Sequence, residues 1–433
     1  MSRPPRPAGK ASAEPLGTAS RRAAIRLLDA VLRRGEPLET ALVAATRHVY
    51  GPDRGLAHAI AAEVLRRLPD LDALIDGVTE RPLPDDAKAR MALRIALVQV
   101  LVLGTPQHAA IATVLPLVDG GPRKLLHGVF GTIMRSGVLL PEVPALPPPV
   151  EARWEAAWGP EMVEGAARAI AAPPPLDVTL ADPATTDEWA AKLGGVSLLP
   201  GHVRIADAGA VPDLPGYAEG AWWVQDIAAS IPARLIGAPA DGARAIDLCA
   251  APGGKTLQLA AQGWQVAAVD ASQARIKRLR ENLYRTRAKA EVVHGDALLW
   301  TPPAPVDALL IDAPCSATGI FRRHPDVLHR VRPSVISEMA ELQHRILARA
   351  AAWVKPGGTL VYATCSLERA EGEAQIEEFL ANHADYAVDA PDPAMLPAGV
   401  PVHERGWVRT LPGMMEQAGG CDGFFIARLT RSA

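Results

Sequence analysis

The sequence predicts three folded domains of different class: an all-α bundle, a small α+β module, and an α/β domain built on a parallel sheet. Three observations predict this. From residue 19 to residue 140 apolar residues recur at helical spacing with no strand pattern. Residues 141–150 (PEVPALPPPV) then form a proline-rich run, semi-extended and poor in donors. From Gly242 onward short apolar runs alternate with helix-like stretches, the pattern of strands buried in a parallel sheet with helices on both faces.

Composition is compatible with folded domains throughout most of the chain. The 433 residues are 49% hydrophobic and 21% charged, enough apolar side chain to bury a sizeable core. The net charge of −3 does not announce a nucleic-acid partner, yet Arg and Lys dominate the first fifty residues. A local basic region binds phosphates even in an acidic protein; on charge alone it is equally a solvated tail. Cysteine usage is low, at four residues (Cys249, Cys315, Cys365, Cys421), and no spacing matches a zinc site or a redox pair. No metal is expected, and a reducing, cytoplasmic setting fits. The basic N-terminus lacks the apolar core of a secretory signal, and no run is long enough to span a membrane.

Residues 1–18, rich in Pro, Ala, Gly and Arg, are expected to be a disordered basic tail. In 19–140, Ile25, Leu28, Val31 and Leu32 mark one helix, and Ile60, Val64, Leu65 and Leu68 another. Residues 92–103 are apolar almost all round, which predicts a buried central helix ended by Gly104–Pro106. Further helices are expected at 111–118 and 124–135, completing a bundle with short connections. Residues 151–230 read as the mixed module: a helix over 154–170, then strands at 176–180, 195–199 and 202–205. Residues 231–433 carry the α/β repeat, with strands at 243–248, 266–269, 291–293, 306–311 and 359–362 and helices at 256–261, 272–285 and 338–354.

In parallel sheets ligands bind beyond the carboxyl ends of the strands. Asp247, Asp270, Asp296, Asp312 and Cys365 all fall at or just after those ends. The segment from Asp247 to Lys255 (DLCAAPGGK) places a Gly-rich turn before a helix, where a ligand can approach the backbone closely. It is neither GxGxxG nor a phosphate-binding Walker pattern, and a tight turn with no ligand is the lesser alternative reading. An acid at Asp270 suits ribose hydroxyls, or it caps the following helix. Asp296 suits an adenine amine, or serves the Gly295–Asp296 turn. Together they favour a nucleoside cofactor. Asp312-Ala-Pro-Cys315 sets an acid and a thiol on one loop, and Cys365 follows the fifth strand. A lone cysteine is more often core filler, as Cys249 and Cys421 are read here. Two in Pro/Ser/Thr loops at adjacent strand ends fit filler poorly, and thiolates are strong nucleophiles.

The segments DLCAAPGGKT, VD, GDA, DAPCSATG, RRHPD, KPGGTLVYATCS and DGFF, spread in order over 225–425, together resemble the bacterial ribosomal-RNA cytosine-5 methyltransferases of the Sun/Fmu/RsmB group. RMALRIALVQVLVLGTPQHAAI and HGVFGTIMR are similar to the NusB-like RNA-binding domain found at the front of those enzymes. Two departures stand out. Gly131 occupies a position where Asn is usual, and the stretch from Cys365 to Glu373 lacks the Glu-Asn with which that motif often ends.

The resemblance implies a NusB-like all-α bundle, a small α+β module, and a Rossmann-like class I methyltransferase domain that uses S-adenosylmethionine. It implies Cys365 as the nucleophile toward carbon 6 of cytosine, with Cys315 assisting proton removal or product release. Residue order alone would not assign those roles, because DNA cytosine methyltransferases use the Cys of a Pro-Cys loop. It implies Asp312 and Lys255 on the cytosine edge. It further implies cofactor contacts from Asp247, Cys249, Ala250, Ala251, Pro252, Gly253, Gly254, Lys255, Asp270, Arg275, Asp296 and Asp312. The implied partner is RNA, 16S rRNA or an assembling small subunit, with the chain acting as a monomer. The target base would have to leave its stack. The run Arg322-Arg323-His324 is expected to serve the RNA backbone or the loop holding the base, or to be a solvated loop. Trp222 and Trp223 read as interdomain packing in preference to base stacking. Competing readings are a tRNA cytosine-5 methyltransferase, an RNA-binding or antitermination factor with a vestigial methyltransferase domain, and a small-molecule methyltransferase. The intact Asp312, Cys315 and Cys365 argue against the second, and the helical domain against the third.

Overall fold

Helices are the only regular elements from Thr18 to Ile170 in the computed structural model, which describes residues 14–433. Most of the expected basic tail thus lies outside the described residues. The chain divides into two units, one of residues 1–147 with 324–330, the other of 148–323 with 331–433. No helix among the described residues is long and apolar enough to cross a membrane.

The first unit holds α1 (Thr18–Arg34), α2 (Leu38–Ala45), α3 (Pro52–Arg66), α4 (Leu68–Asp76), α5 (Lys88–Leu101), α6 (Gln107–Val114) and α7 (Gly121–Arg135). The all-round apolar helix expected near residue 92 is α5, and Ala92, Leu93, Ile95, Ala96, Leu97 and Val98 are all fully buried. Each larger side chain among them stabilises the unit by about 1.5–3 kcal/mol. Arg90 and Arg94 are buried on the same helix. They are tolerated because Asp76 and Asp72 meet them at 2.7 Å. Residues 324–330, far along the chain, complete this unit: His329 Nε2 lies 2.7 Å from the Leu65 carbonyl, and Leu38 N–H donates to Asp326 at 3.4 Å.

The second unit opens with α8 (Pro148–Trp158) and α9 (Pro160–Ile170). The single helix expected over 154–170 is two, because Gly159 breaks it at φ 85°. Pro148 and Pro149 lie in the first turn of α8, where a missing N–H costs nothing, so the proline-rich run gives way to helix before residue 150. β1 (Leu176–Leu180), α10 (Thr186–Leu193), β2 (His202–Ile205) and β3 (Trp222–Val224) form an antiparallel sheet of order β2-β1-β3. The strand expected at 195–199 is only a bridge from Val196 to Arg204. The boundary expected at 230/231 falls inside α11 (Ile227–Ile236), whose buried face packs against the larger sheet, and the small sheet belongs to the same unit.

The remaining elements are β4 (Arg244–Leu248), α12 (Gly254–Ala261), β5 (Gln265–Asp270), α13 (Gln273–Thr286), β6 (Glu291–His294), β7 (Val306–Asp312), α14 (Val327–Arg330, in the first unit), α15 (Pro333–Ala350), β8 (Val354–Thr364), α16 (Glu373–Asn382), β9 (Tyr386–Val388), β10 (Val408–Thr410) and β11 (Phe424–Arg431). The larger sheet has order β10-β11-β8-β7-β4-β5-β6, with β9 on β11. The five expected strands pair in parallel, and β11, β10 and β9 add an antiparallel edge. Chain order reverses at β4. β5 and β6 extend the sheet to one side, β7 and β8 to the other, which opens a crevice above the strand ends.

Candidate active site

Four strands deliver predicted residues to one edge of the sheet. Asp247 is the penultimate residue of β4, Asp270 ends β5, Asp312 ends β7, and Cys365 directly follows β8. Register aligns them, with Asp247 opposite Leu310 and Asp312 opposite Ala363. Lys255, in the first turn of α12, is buried and reaches Asp312 with Nζ to Oδ2 at 2.8 Å. Burial pulls the lysine's pKa down, but Asp312, together with Asp247 and Cys365, offsets this and the net shift is upward. The Phe424 ring lies 5.4 Å from that ammonium. Lys255 and Asp312 line a cavity of about 310 Å³, together with Trp223, Gln225, Asn282 and Arg285.

The Cys315 and Cys365 sulfurs lie 3.4 Å apart, and both are free thiols. The Cys315 thiol is held well above the ordinary range, first by its hydrogen bond with Cys365, then by burial and by the nearby Cys365 and Glu371 charges. Either thiol can be the donor in this contact. Backbone contacts knit the two loops together. Gly319 N–H donates to the Cys365 carbonyl at 3.0 Å, and Gly423 N–H to the Gly319 carbonyl at 2.8 Å. A Cβ at Gly319 would sit 1.9 Å from the Gly423 oxygen, so only glycine permits this approach.

Beneath the thiols lies a carboxylate to which the sequence analysis assigned no role. Glu371 is fully buried. Its oxygens accept from the backbone N–H of Ser316 at 2.8 Å, from Gln343 Nε2 at 2.9 Å, from the Ser366 hydroxyl at 2.9 Å, and from the Ser316 hydroxyl. Ser316 follows Cys315 and Ser366 follows Cys365, so one acid ties both cysteine loops. Burial raises its pKa, and these four donors pull it back only in part.

Residues 234–430 match the model of the 16S rRNA methyltransferase RsmB/F family, and residues 18–121 that of the NusB family. A Klebsiella pneumoniae protein named "Ribosomal RNA small subunit methyltransferase B" is 35% identical over 94% of this chain and 97% of its own length. A Xanthomonas campestris protein of the same name is 36% identical over 96% and 98%. The chain belongs to the RsmB/F methyltransferase family. A solved structure titled PH0851 shares the fold, with a TM-score of 0.71 at 23% identity over 97% of this chain and all of that one.

As a member of this family the chain is a methyltransferase whose cofactor is S-adenosylmethionine. The residues present fit that group. Asp247 is fully buried; its Oδ2 accepts from Thr256 at 2.5 Å, while Oδ1 has no partner, an unsatisfied acceptor beside the Gly-rich turn. Asp270 accepts from Ala251 N–H at 3.0 Å and Ser272 N–H at 2.8 Å, which shapes the turn and leaves lone pairs for ribose hydroxyls. Gly253, at φ 107°, lets the turn lie against Leu279, which a Cβ there would meet at 2.4 Å. Arg275 donates to the Ala251 carbonyl and sits 3.7 Å from Asp270. Asp296 caps Leu298 N–H at 2.8 Å and is otherwise exposed. Cys249, Ala250, Ala251, Pro252 and Gly254 complete the turn, with the Cys249 thiol pushed up to about 12 by burial.

Of the expected roles for Arg322 and Arg323, the geometry fits the holding of a loop, with Arg322 buried and the Arg323 side chain 23% exposed. Both bond Asp226 Oδ2, at 3.2 and 2.8 Å, and both bond Asp422, at 3.2 and 3.3 Å. Asp422 is pushed up to about 6 by burial and the neighbouring Asp226. This closed cluster ties the start of α11 and the strand β11 to the loop after Cys315. Trp222 and Trp223 are buried with their N–H groups bonded to Pro215 and Gln225, and Cys421 is buried too.

Proposed function

We propose that this protein methylates carbon 5 of a cytosine in 16S rRNA, acting as a cytoplasmic monomer through a covalent bond from Cys365. One observation carries the reading: two thiols 3.4 Å apart, beside a buried Lys–Asp pair, at the strand ends of an RsmB/F family member. The names of the relatives favour small-subunit RNA, and the match of the helical unit to the NusB family favours phosphate contacts there. Four free thiols suit a reducing compartment.

Carbon 5 of cytosine is a weak nucleophile. Cys365 Sγ adds to carbon 6 and makes carbon 5 enamine-like. Lys255 and Asp312 hold the cytosine edge, where the ammonium offsets charge as it builds on the ring. S-adenosylmethionine, when bound, supplies an electrophilic methyl group at carbon 5. Before attack the Cys315 thiol, raised by its contact with Cys365 and by burial, keeps its proton beside the nucleophile. Once Cys365 is a thioether, the two Cys365 influences that raise Cys315 disappear. Cys315 then passes its proton to solvent and, as a thiolate, takes the proton from carbon 5, whose bonding pair restores the carbon 5–carbon 6 double bond and expels Cys365 as a thiolate. This frees the product.

The test is methyl transfer to unmethylated 16S rRNA, located by bisulfite sequencing, with bulk tRNA in a parallel arm. Wild type is expected to modify one rRNA cytosine. C365A is expected to be inactive yet to bind S-adenosylmethionine, and C315A to accumulate a protein–RNA adduct on denaturing gels. Full activity of C365A, or modification of tRNA alone, overturns the reading.

A further inference from the structure

Helix α13 and the residues after it carry a charge the described site does not use. From residue 275 to 289 there are seven cations (Arg275, Lys277, Arg278, Arg280, Arg285, Arg287, Lys289) against Glu281 alone, in a chain of net charge −3. Ile276, Leu279 and Leu283 hold the helix down by its buried face. Arg275, Arg278, Asn282 and Arg285, spaced three, four and three apart, share one flank. Three of them bond backbone oxygens: Arg275 the Ala251 carbonyl, Asn282 that of Pro252 at 3.0 Å, and Arg285 those of Tyr217 and Trp222 at 2.8 and 3.0 Å. The fourth, Arg278, is exposed and has no ion pair or hydrogen bond among the described residues. On the opposite flank Arg280 is likewise exposed without one, and Lys277 has only Glu281 at 3.9 Å. Tyr284 beside them is 89% exposed.

This arrangement costs stability if nothing anionic covers it. Arg275 and Arg278, and Lys277 and Arg280, are like-charge pairs one turn apart, and Arg275 opposes the helix dipole in the first turn. The same helix lines the 310 Å³ cavity holding Lys255 and Asp312 through Asn282 and Arg285, and its Arg275 and Asn282 bond the turn before α12. It spans about 20 Å. We propose that the exposed face of α13 is the track on which the RNA strand flanking the target cytosine lies, with Lys277, Arg278 and Arg280 on phosphates and Tyr284 stacked on a base. This rests on the substrate being RNA. A row of cations with an exposed ring, continuous with the reacting site, matches a single strand's alternation of phosphate and base.

The full-length triple variant K277A/R278A/R280A, and Y284A separately, are compared with wild type on rRNA across a salt series. Alanine is a better helix former than the residues it replaces, so the fold is retained. The triple variant is expected to raise KM for RNA roughly tenfold or more and to lower the slope of log KM against log salt by about 2, at about 0.7 per phosphate. Y284A is expected to raise KM without changing that slope. Affinity for S-adenosylmethionine and kcat at saturating RNA stay unchanged. An unchanged KM and slope in the triple variant, with wild type active, overturns the track and leaves α13 to an acidic protein or to solvent. Inactivity of wild type on RNA overturns the functional reading instead.

Discussion

Asp247 shows how much a single buried atom can cost. The carboxylate is fully buried with one oxygen unpartnered, and burial raises its pKa from 3.8 to about 7. Below about pH 4 the folded and unfolded chains both carry the proton, and there is no penalty. Between 3.8 and 7 the unfolded chain releases a proton that the folded chain keeps, so stability falls as pH rises. Above 7 the folded chain bears the whole penalty, on the order of 4 kcal/mol. D247N retains an oxygen for Thr256 and cannot ionise. In the absence of cofactor, the loss of denaturation free energy from pH 5 to pH 8.5 is therefore expected to be smaller in D247N than in wild type. Equal losses in the two proteins would show that Asp247 does not titrate in this window. The strand-end position of this acid was legible in the sequence because a short apolar run followed by Asp and a Gly-rich turn leaves few alternatives. Its lack of a partner was not, since no local pattern reports which donors converge on a buried oxygen.

At the scale of elements, the cysteine loops depend on a residue placed by the turn before α16. Four donors from the Cys315 loop, the Cys365 loop and α15 converge on Glu371, and Tyr362 and Thr364 bond its backbone carbonyl. On the outer side α8 holds the same loop, with Trp154 bonded to Glu368 and Trp158 to the Leu367 carbonyl. In E371Q one acceptor becomes a donor facing other donors, which leaves buried groups unpaired at about 1–3 kcal/mol. Glu371 is thus a positioning residue. E371Q is expected to lower Tm by several degrees and kcat by about 10-fold or more, with KM for S-adenosylmethionine unchanged and adduct formation slowed. An unaltered kcat at a lowered Tm would reduce its role to stability. The sequence showed the two thiols at adjacent strand ends, but Glu371 is one of four acids and bases in the stretch 368–373, and nothing local marks it as the buried one. Arg322 and Arg323 could not be assigned between RNA and loop for the related reason that charge is visible in a sequence and partners are not. Asp226 and Asp422 lie about a hundred positions away from them.

The molecule as a whole is built from units that do not follow chain order. The parallel strands were legible because runs buried on both faces are continuously apolar. The antiparallel edge from β9 to β11 was not, because β9 and β10 have only three residues each and β11 lies beyond the repeating strand–helix pattern. Nor did the sequence show that 324–330 belong to the helical unit, because seven residues in a loop carry no periodicity. Val327 and Leu328 are 1% and 4% exposed, His329 is bonded to Leu65, and burial lowers that histidine's pKa. Removing residues 1–147 would therefore keep every proposed cofactor contact but expose these apolar side chains. The truncated chain is expected to aggregate. The same truncation carrying V327N and L328N is expected to elute as one monodisperse species and to bind S-adenosylmethionine like the full chain, with weaker affinity for rRNA. Size-exclusion chromatography and calorimetric titration check both. If the unmodified truncation is equally monodisperse, residues 324–330 are not an integral part of the helical unit.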